Sequence, residues 1–138
     1  MANGNGTKLA GRANYGNGEY VFAMNDSLAS SHALEAGDSG KIFFVSNTVA
    51  RTITLPAPSP GVYYKFIMTD TTTDSSIAAT GNLIKGGAEC GDAYLTLAGT
   101  TIVLESAGSV GDFLEFISDG TYWYVSGHGA HDASFSVS

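Results

Sequence analysis

GDSGKIFFVSNTVARTITLPAPSPGVYYKFIM, residues 37–68, decides the fold. Three β-type runs lie here, separated by a short polar turn and by a break rich in proline and glycine. Ile53 and Leu55 alternate with Thr52 and Thr54, the period-two pattern of a strand buried on one face. In the last run Val62, Tyr64, Phe66 and Met68 point one way, and Tyr63, Lys65 and Ile67 the other. A strand apolar on both faces belongs in the centre of a sheet or under a partner subunit. Pro56, Pro58 and Pro60 cannot donate ladder hydrogen bonds, so residues 56–60 form a rigid connection.

Outward from this block the signals stay β-type. Tyr20–Met24 reads as the first strand, and residues 25–36 as a short helix or helical turn capped by Asp26 or Ser27 and stopped by Gly37. Short strands follow near Ile77–Ala79 and Leu83–Lys85. Tyr94–Leu97 and Thr101–Glu105 read as a hairpin-like pair around Ala98–Gly99. Asp119-Gly120, between Asp112–Ser118 and Thr121–Ser126, is the clearest hairpin signal. Phe113, Ile117, Trp123 and Val125 are its expected core residues, with Tyr122 and Tyr124 on the other face. About ten short strands at this spacing predict an all-β single domain, a β-sandwich or jelly-roll-like barrel, without tandem repeats. A short helical turn and an extended N-terminal arm complete the expected fold. Residues 1–18 form the Gly/Asn-rich arm and 19–138 the β-sandwich domain, which ends in a short Gly-containing tail.

Composition narrows the function. One cysteine, Cys90, cannot form an internal disulfide, so it reads as a small buried filler in a protein folded in a reducing cytosol. No apolar run is long enough for a membrane span, and MANGNGTKLAGRANYGNG lacks the core of a secretory signal. Residues 86–138 carry seven carboxylates and no Lys or Arg, which argues against nucleic acid as a partner. They read as a solvated acidic face, with a metal or cationic ligand as the alternative. The arm holds Lys8 and Arg12 with no acid, and Leu9 and Tyr15 as apolar anchors. Such a segment cannot offset its own ordering entropy, so it is either a floppy tail or an arm that becomes ordered against a partner.

Each chemical motif has a structural explanation beside it. GDSG at 37–40 has the shape of a serine-nucleophile motif, but only 36 residues precede it and His32 is too local to be its base. A tight turn using Asp38 and Ser39 is the expectation. His128, His131 and Asp132 could bind zinc or nickel if a tail folded around the ion, most readily at a trimer axis. Asp70, Asp74, Glu89 and Asp92 lack the ligand series of a calcium loop. Tyr63, Tyr122, Trp123 and Tyr124 could stack on sugars, although strand aromatics usually serve core or interface. No catalytic residue, metal or cofactor is expected.

The order HALEAGDSGKIFFV, TITLPAP, then G-x-Y-Y-x-F resembles small virion structural proteins of tailed bacteriophages, especially head decoration or cement proteins. GDFLEFISDGTYWYVSG at 111–127 resembles a hairpin of phage capsid and tail proteins. Together these cover well under half of the chain. The resemblance implies assembly, without an enzyme activity. The expected protein sits on the outer capsid surface, with the major capsid protein and copies of itself, as a homotrimer, for partners. Lys8, Leu9, Arg12 and Tyr15 would contact the shell. Val62, Tyr63, Tyr64, Phe66 and Trp123 would pack the core or the protomer interface. The alternative is a tail-fibre or receptor-binding module contacting host glycans.

Overall fold

The computed structural model describes residues 12–15, 18–24, 31–81 and 83–138, with side chains from residue 32 onward. Among the described residues thirteen strands build two sheets: β1 (Arg12–Tyr15), β2 (Gly18–Met24), β3 (Ser31–Ala33), β4 (Ile42–Ser46), β5 (Thr52–Thr54), β6 (Tyr63–Asp70), β7 (Ser75–Ala78), β8 (Ile84–Cys90), β9 (Ala93–Thr96), β10 (Thr101–Leu104), β11 (Phe113–Ser118), β12 (Trp123–Gly129) and β13 (Phe135–Val137). The large sheet has the order β1-β2-β4-β6-β11-β12-β8-β9, and the small one β13-β10-β7-β5-β3. Both are mixed, and they pack together as a sandwich that does not close into a barrel. Among the described residues, no helix is long and apolar enough to cross a membrane.

From β2 to β8 the chain alternates between sheets at every step, so β2, β4 and β6 lie parallel in one and β3, β5 and β7 parallel in the other. Parallel neighbours need a crossover, and here the crossover is a strand of the opposite sheet. Hairpins join β1 to β2, β8 to β9 and β11 to β12. β6, apolar on both faces, is the fourth of eight strands, as its pattern required.

Winding is achieved by a unit that occurs three times. Residues 31–46, 52–68 and 101–118 each run from a small-sheet strand through a corner into a large-sheet strand. Leu34, Leu55 and Leu104 fill the corners and are buried. Each corner closes with the same turn: Lys41, Val62 and Asp112 donate their amides to the carbonyls of Asp38, Ser59 and Ser109. The third turn position is Gly40, Gly61 or Gly111, at φ +89°, +78° and +96°. With Ser39 at φ −55°, ψ 138°, the first is a type II turn, which needs a left-handed third residue. Each turn glycine also donates its amide to a neighbouring large-sheet strand: Gly40 to Tyr63, Gly61 to Ser118 and Gly111 to Met68, all at 2.8 Å. The corner geometry thus recurs on few identical residues.

Three residues past the glycines, Phe43, Tyr64 and Leu114 enter the core; two residues further, Val45, Phe66 and Phe116 follow. Phe66 stacks on Phe43 at 5.5 Å and meets Phe116 edge-on at 5.7 Å, while Tyr64 lies 5.6 Å from Trp123. Trp123, wholly buried, donates its indole N–H to the carbonyl of Pro56 at 3.2 Å, tying the proline connection to the core.

Other expectations are revised. Residues 25–30 lie outside the described residues, but 31–33 are strand, because pairing of Ser31-His32-Ala33 with Thr52-Ile53-Thr54 overrides a weak local helix signal. Ala36–Asp38 form a 3-10 turn at the end of that stretch. β9 and β10 do not pair; β9 joins β8 in the large sheet, and β10 joins β7 and β13 in the small one. On β11 the inward residues are Leu114 and Phe116, one step from those expected, and Phe113 and Ile117 face outward. The C-terminal segment is no tail: β12 continues to Gly129, and β13 pairs with β10 with Phe135 in the core.

Candidate interaction surface

The outer faces of the two sheets differ in chemistry. On the small sheet, Thr52, Thr54, Ser76, Ala78, Thr101, Val103 and Ser136 share the outward side. It is a face of short, mostly hydroxyl-bearing side chains that water solvates readily.

The large sheet presents three outward rows. Phe44, Ile67, Phe113, His128, Glu89 and Tyr94 lie in register across six strands. Ile42, Lys65, Glu115 and Ser126 form the next row, and Tyr63, Ile117, Tyr124 and Lys85 the third. Ile117 keeps 50% of its surface exposed and Tyr124 42%, large apolar areas to leave in water. In the middle, Lys65 Nζ sits 3.9 Å from Glu115 Oε2 and 4.5 Å above the Phe113 ring. Tyr63 donates its hydroxyl to Glu115 Oε2 at 2.6 Å. Partial burial, reinforced by that hydrogen bond to a carboxylate, pushes the Tyr63 hydroxyl up to about 12. At the hairpin end Tyr122 and Tyr124 meet edge-on at 6.5 Å, with Lys85 Nζ 4.3 Å from the Tyr122 ring centre.

The expected site residues divide between these surfaces. Val62, Tyr64, Phe66 and Trp123 are core, while Tyr63 lies half-buried on the outer face. Trp123 therefore presents nothing to a sugar. Lys8 and Leu9 lie outside the described residues. Arg12 and Tyr15 open and close β1, an edge strand paired with β2, so the expected arm ends in a hairpin.

The GDSG segment is a turn in its entirety. Ser39 Oγ accepts the amide of Tyr63 at 3.0 Å, and Asp38 accepts the amide of Glu35 and the ammonium of Lys41. Partial burial would raise the Asp38 carboxyl, but these donors outweigh it and hold it below its usual range. Tyr64, pushed up to about 12 by burial and the nearby Asp38 charge, donates to the Glu35 carbonyl. Cys90 is buried, and burial followed by the nearby Asp112 charge raises its thiol, which suits packing.

The acidic half has a role that its composition did not reveal. Asp112, buried, accepts the amides of Ser109 and Ala130 at 2.9 and 3.0 Å, fastening the third corner to the end of β12. Asp119 accepts the amides of Thr121 and Tyr122, which lower its carboxyl. Asp132 accepts that of Asp92, and Asp74, outside the acidic half, accepts that of Ser106. Most of these aspartates fix turns, in addition to solvating the surface. An aspartate beside glycine or serine in a loop was the available signal. His128 stands on β12 beside Glu89, while His131 lines an open hollow with Asp92 and Asp132. Among the described residues no three metal-capable side chains converge.

No protein-family model, curated protein or solved structure matches this chain.

Proposed function

We propose that this chain is a structural adhesion protein, a bacteriophage capsid decoration (cement) protein held on the outer surface of the head. The observation that carries the reading is the contrast between sheet faces. One is made mostly of short hydroxyl side chains suited to water, and the other presents Ile42, Phe44, Ile67, Phe113 and Ile117 around the Lys65–Glu115 pair, with Lys85, Glu89 and His128 on the strands to one side. A face of that composition gains about 25 cal/mol for each Å² removed from water, and the gain multiplies over many copies on a lattice. In this reading the outer face joins copies of the chain, and the N-terminal segment with Lys8 and Leu9 reaches the major capsid protein. The turns and corners that use Ser39, Asp38 and Asp112 serve rigidity, which an adhesion module needs and a substrate cleft would not explain.

Quantitative mass spectrometry of purified particles tests this. Copy numbers comparable with the major shell protein are expected. A handful of copies per particle would favour the tail-fibre reading, in which the exposed Tyr122–Tyr124 pair with Lys85 contacts host glycans; a glycan array then tests that reading. Absence from particles would overturn both.

A further inference from the structure

We infer that the outer face of the large sheet is the contact between two copies of this chain, stacked about a two-fold axis that runs parallel to β6 and β11 and passes between them. The inference rests on the self-association in the reading above but requires no virus particle.

The charges select the operator. Lys65 and Glu115 lie directly opposite each other on the two central strands. Rotation about an axis parallel to the strands brings Lys65 over Glu115 of the partner subunit, and Glu115 over Lys65 of the partner subunit. The same rotation sets Ile67 against Phe113 of the partner subunit and Tyr63 against Ile117 of the partner subunit. An axis across the strands would instead place Lys65 over Lys65 and Glu115 over Glu115, a like-charge stack that costs affinity. The pair also has capacity to spare. Lys65 Nζ is 3.9 Å from Glu115, beyond a close hydrogen bond, and an ammonium has three donors to place.

Size and symmetry agree. The six strands that carry the outward rows, at about 4.8 Å spacing and about 20 Å length, make a face of roughly 580 Å², the larger part of the roughly 800 Å² that each partner gives to a stable interface. Two faces packed about 10 Å apart would interdigitate as the layers of a sandwich do. A self-complementary patch makes an isologous, two-fold contact, whereas a trimer needs two different surfaces that fit one another. A pair, instead of the homotrimer expected from the resemblance, follows from this patch.

Sedimentation of the full chain and two charge reversals tests it. Wild type is expected at twice the 14.2 kDa chain mass. Lys65→Glu, with two acids at its centre, and Glu115→Lys, with two bases, should each sediment at the single mass. An equimolar mixture of the two should recover the double mass, which also shows that both variants fold. A wild type at the single or triple mass, single variants that still pair, or a mixture that stays apart would each overturn the inference. So would a monomeric wild type that pairs only after deletion of residues 2–11, since the chain's own N-terminus would then be the occupant. Failure here leaves the particle copy number free to support attachment by other surfaces.

Discussion

Replacing turn glycines by alanine separates backbone strain from crowding. A Cβ built on Gly61, Gly111 or Gly37 meets nothing within 4 Å, so none of the three substitutions introduces a clash. Gly61 and Gly111 have left-handed φ of +78° and +96°, while Gly37 does not. Forcing an L-residue into the left-handed region costs about 1–2 kcal/mol. At a compatible φ, Gly→Ala stabilises by about 0.4–1 kcal/mol through the unfolded chain. Gly61→Ala and Gly111→Ala should therefore fall below Gly37→Ala by about 1.4–3 kcal/mol, the sum of those two ranges. Urea unfolding followed by fluorescence reads this directly, because Trp123 is the single tryptophan and is wholly buried. Gly61→Asn should lose less than Gly61→Ala, since asparagine tolerates the left-handed region. If all three alanine variants unfold at the same urea concentration, the left-handed turn does not set strand entry and the corner argument fails.

Two further outcomes follow from named hydrogen bonds and titrations. Asp112→Ala strands two part-buried amides, those of Ser109 and Ala130, and should cost about 2–4 kcal/mol by calorimetry. Asp119→Ala, whose amide partners can turn to water, should lose less; equal losses would refute the role of burial. Tyr63 and Tyr64, pushed up to about 12 against an ordinary 10.0, contribute stability that is full below pH 10 and lost as pH rises through 12. Tyrosinate absorbance should show Tyr63 and Tyr64 ionising near pH 12 and only together with unfolding. Ionisation of Tyr63 and Tyr64 near pH 10 in a folded chain would contradict this.

Much of the fold was legible because burial leaves a period-two mark on strands. Period two placed β5 and β6, the prolines placed the rigid connection, and Asp119-Gly120 placed the β11–β12 hairpin. The facing of β11 was not legible for a physical reason. Phe113, Leu114, Phe116 and Ile117 put apolar residues on both faces, so alternation cannot say which one is core. Pairing was harder still. Hairpins announce themselves in local turn residues, but parallel neighbours joined through the opposite sheet leave no local signal. β9 and β10, adjacent in sequence, consequently look like partners although the chain changes sheet between them. The interaction face was half legible: β6 is apolar on both sides, but the sequence pattern puts Phe113 and Ile117 in the core, which leaves the patch without its neighbouring strand.

The repeated unit also explains why the central charge pair exists at all. In each copy the glycine fixes where the strand begins, so the positions three and five residues later are committed to the core. Positions two, four and six residues later face outward and are not constrained by the corner. Those positions are Ile42, Phe44 and Ser46 in the first copy, Tyr63, Lys65 and Ile67 in the second, and Phe113, Glu115 and Ile117 in the third. β6 and β11 lie side by side and antiparallel, and their glycine amides dock reciprocally, Gly61 onto the end of β11 and Gly111 onto β6. That docking sets the register, and the register brings the fourth residue after each glycine, Lys65 and Glu115, face to face. Opposite charges at equivalent positions of two copies of one unit give the face its self-complementarity. The corner geometry and the proposed pairing thus depend on the same two glycines: a substitution that slips β11 by one residue would turn Glu115 inward and remove the pair, even if the sandwich still formed.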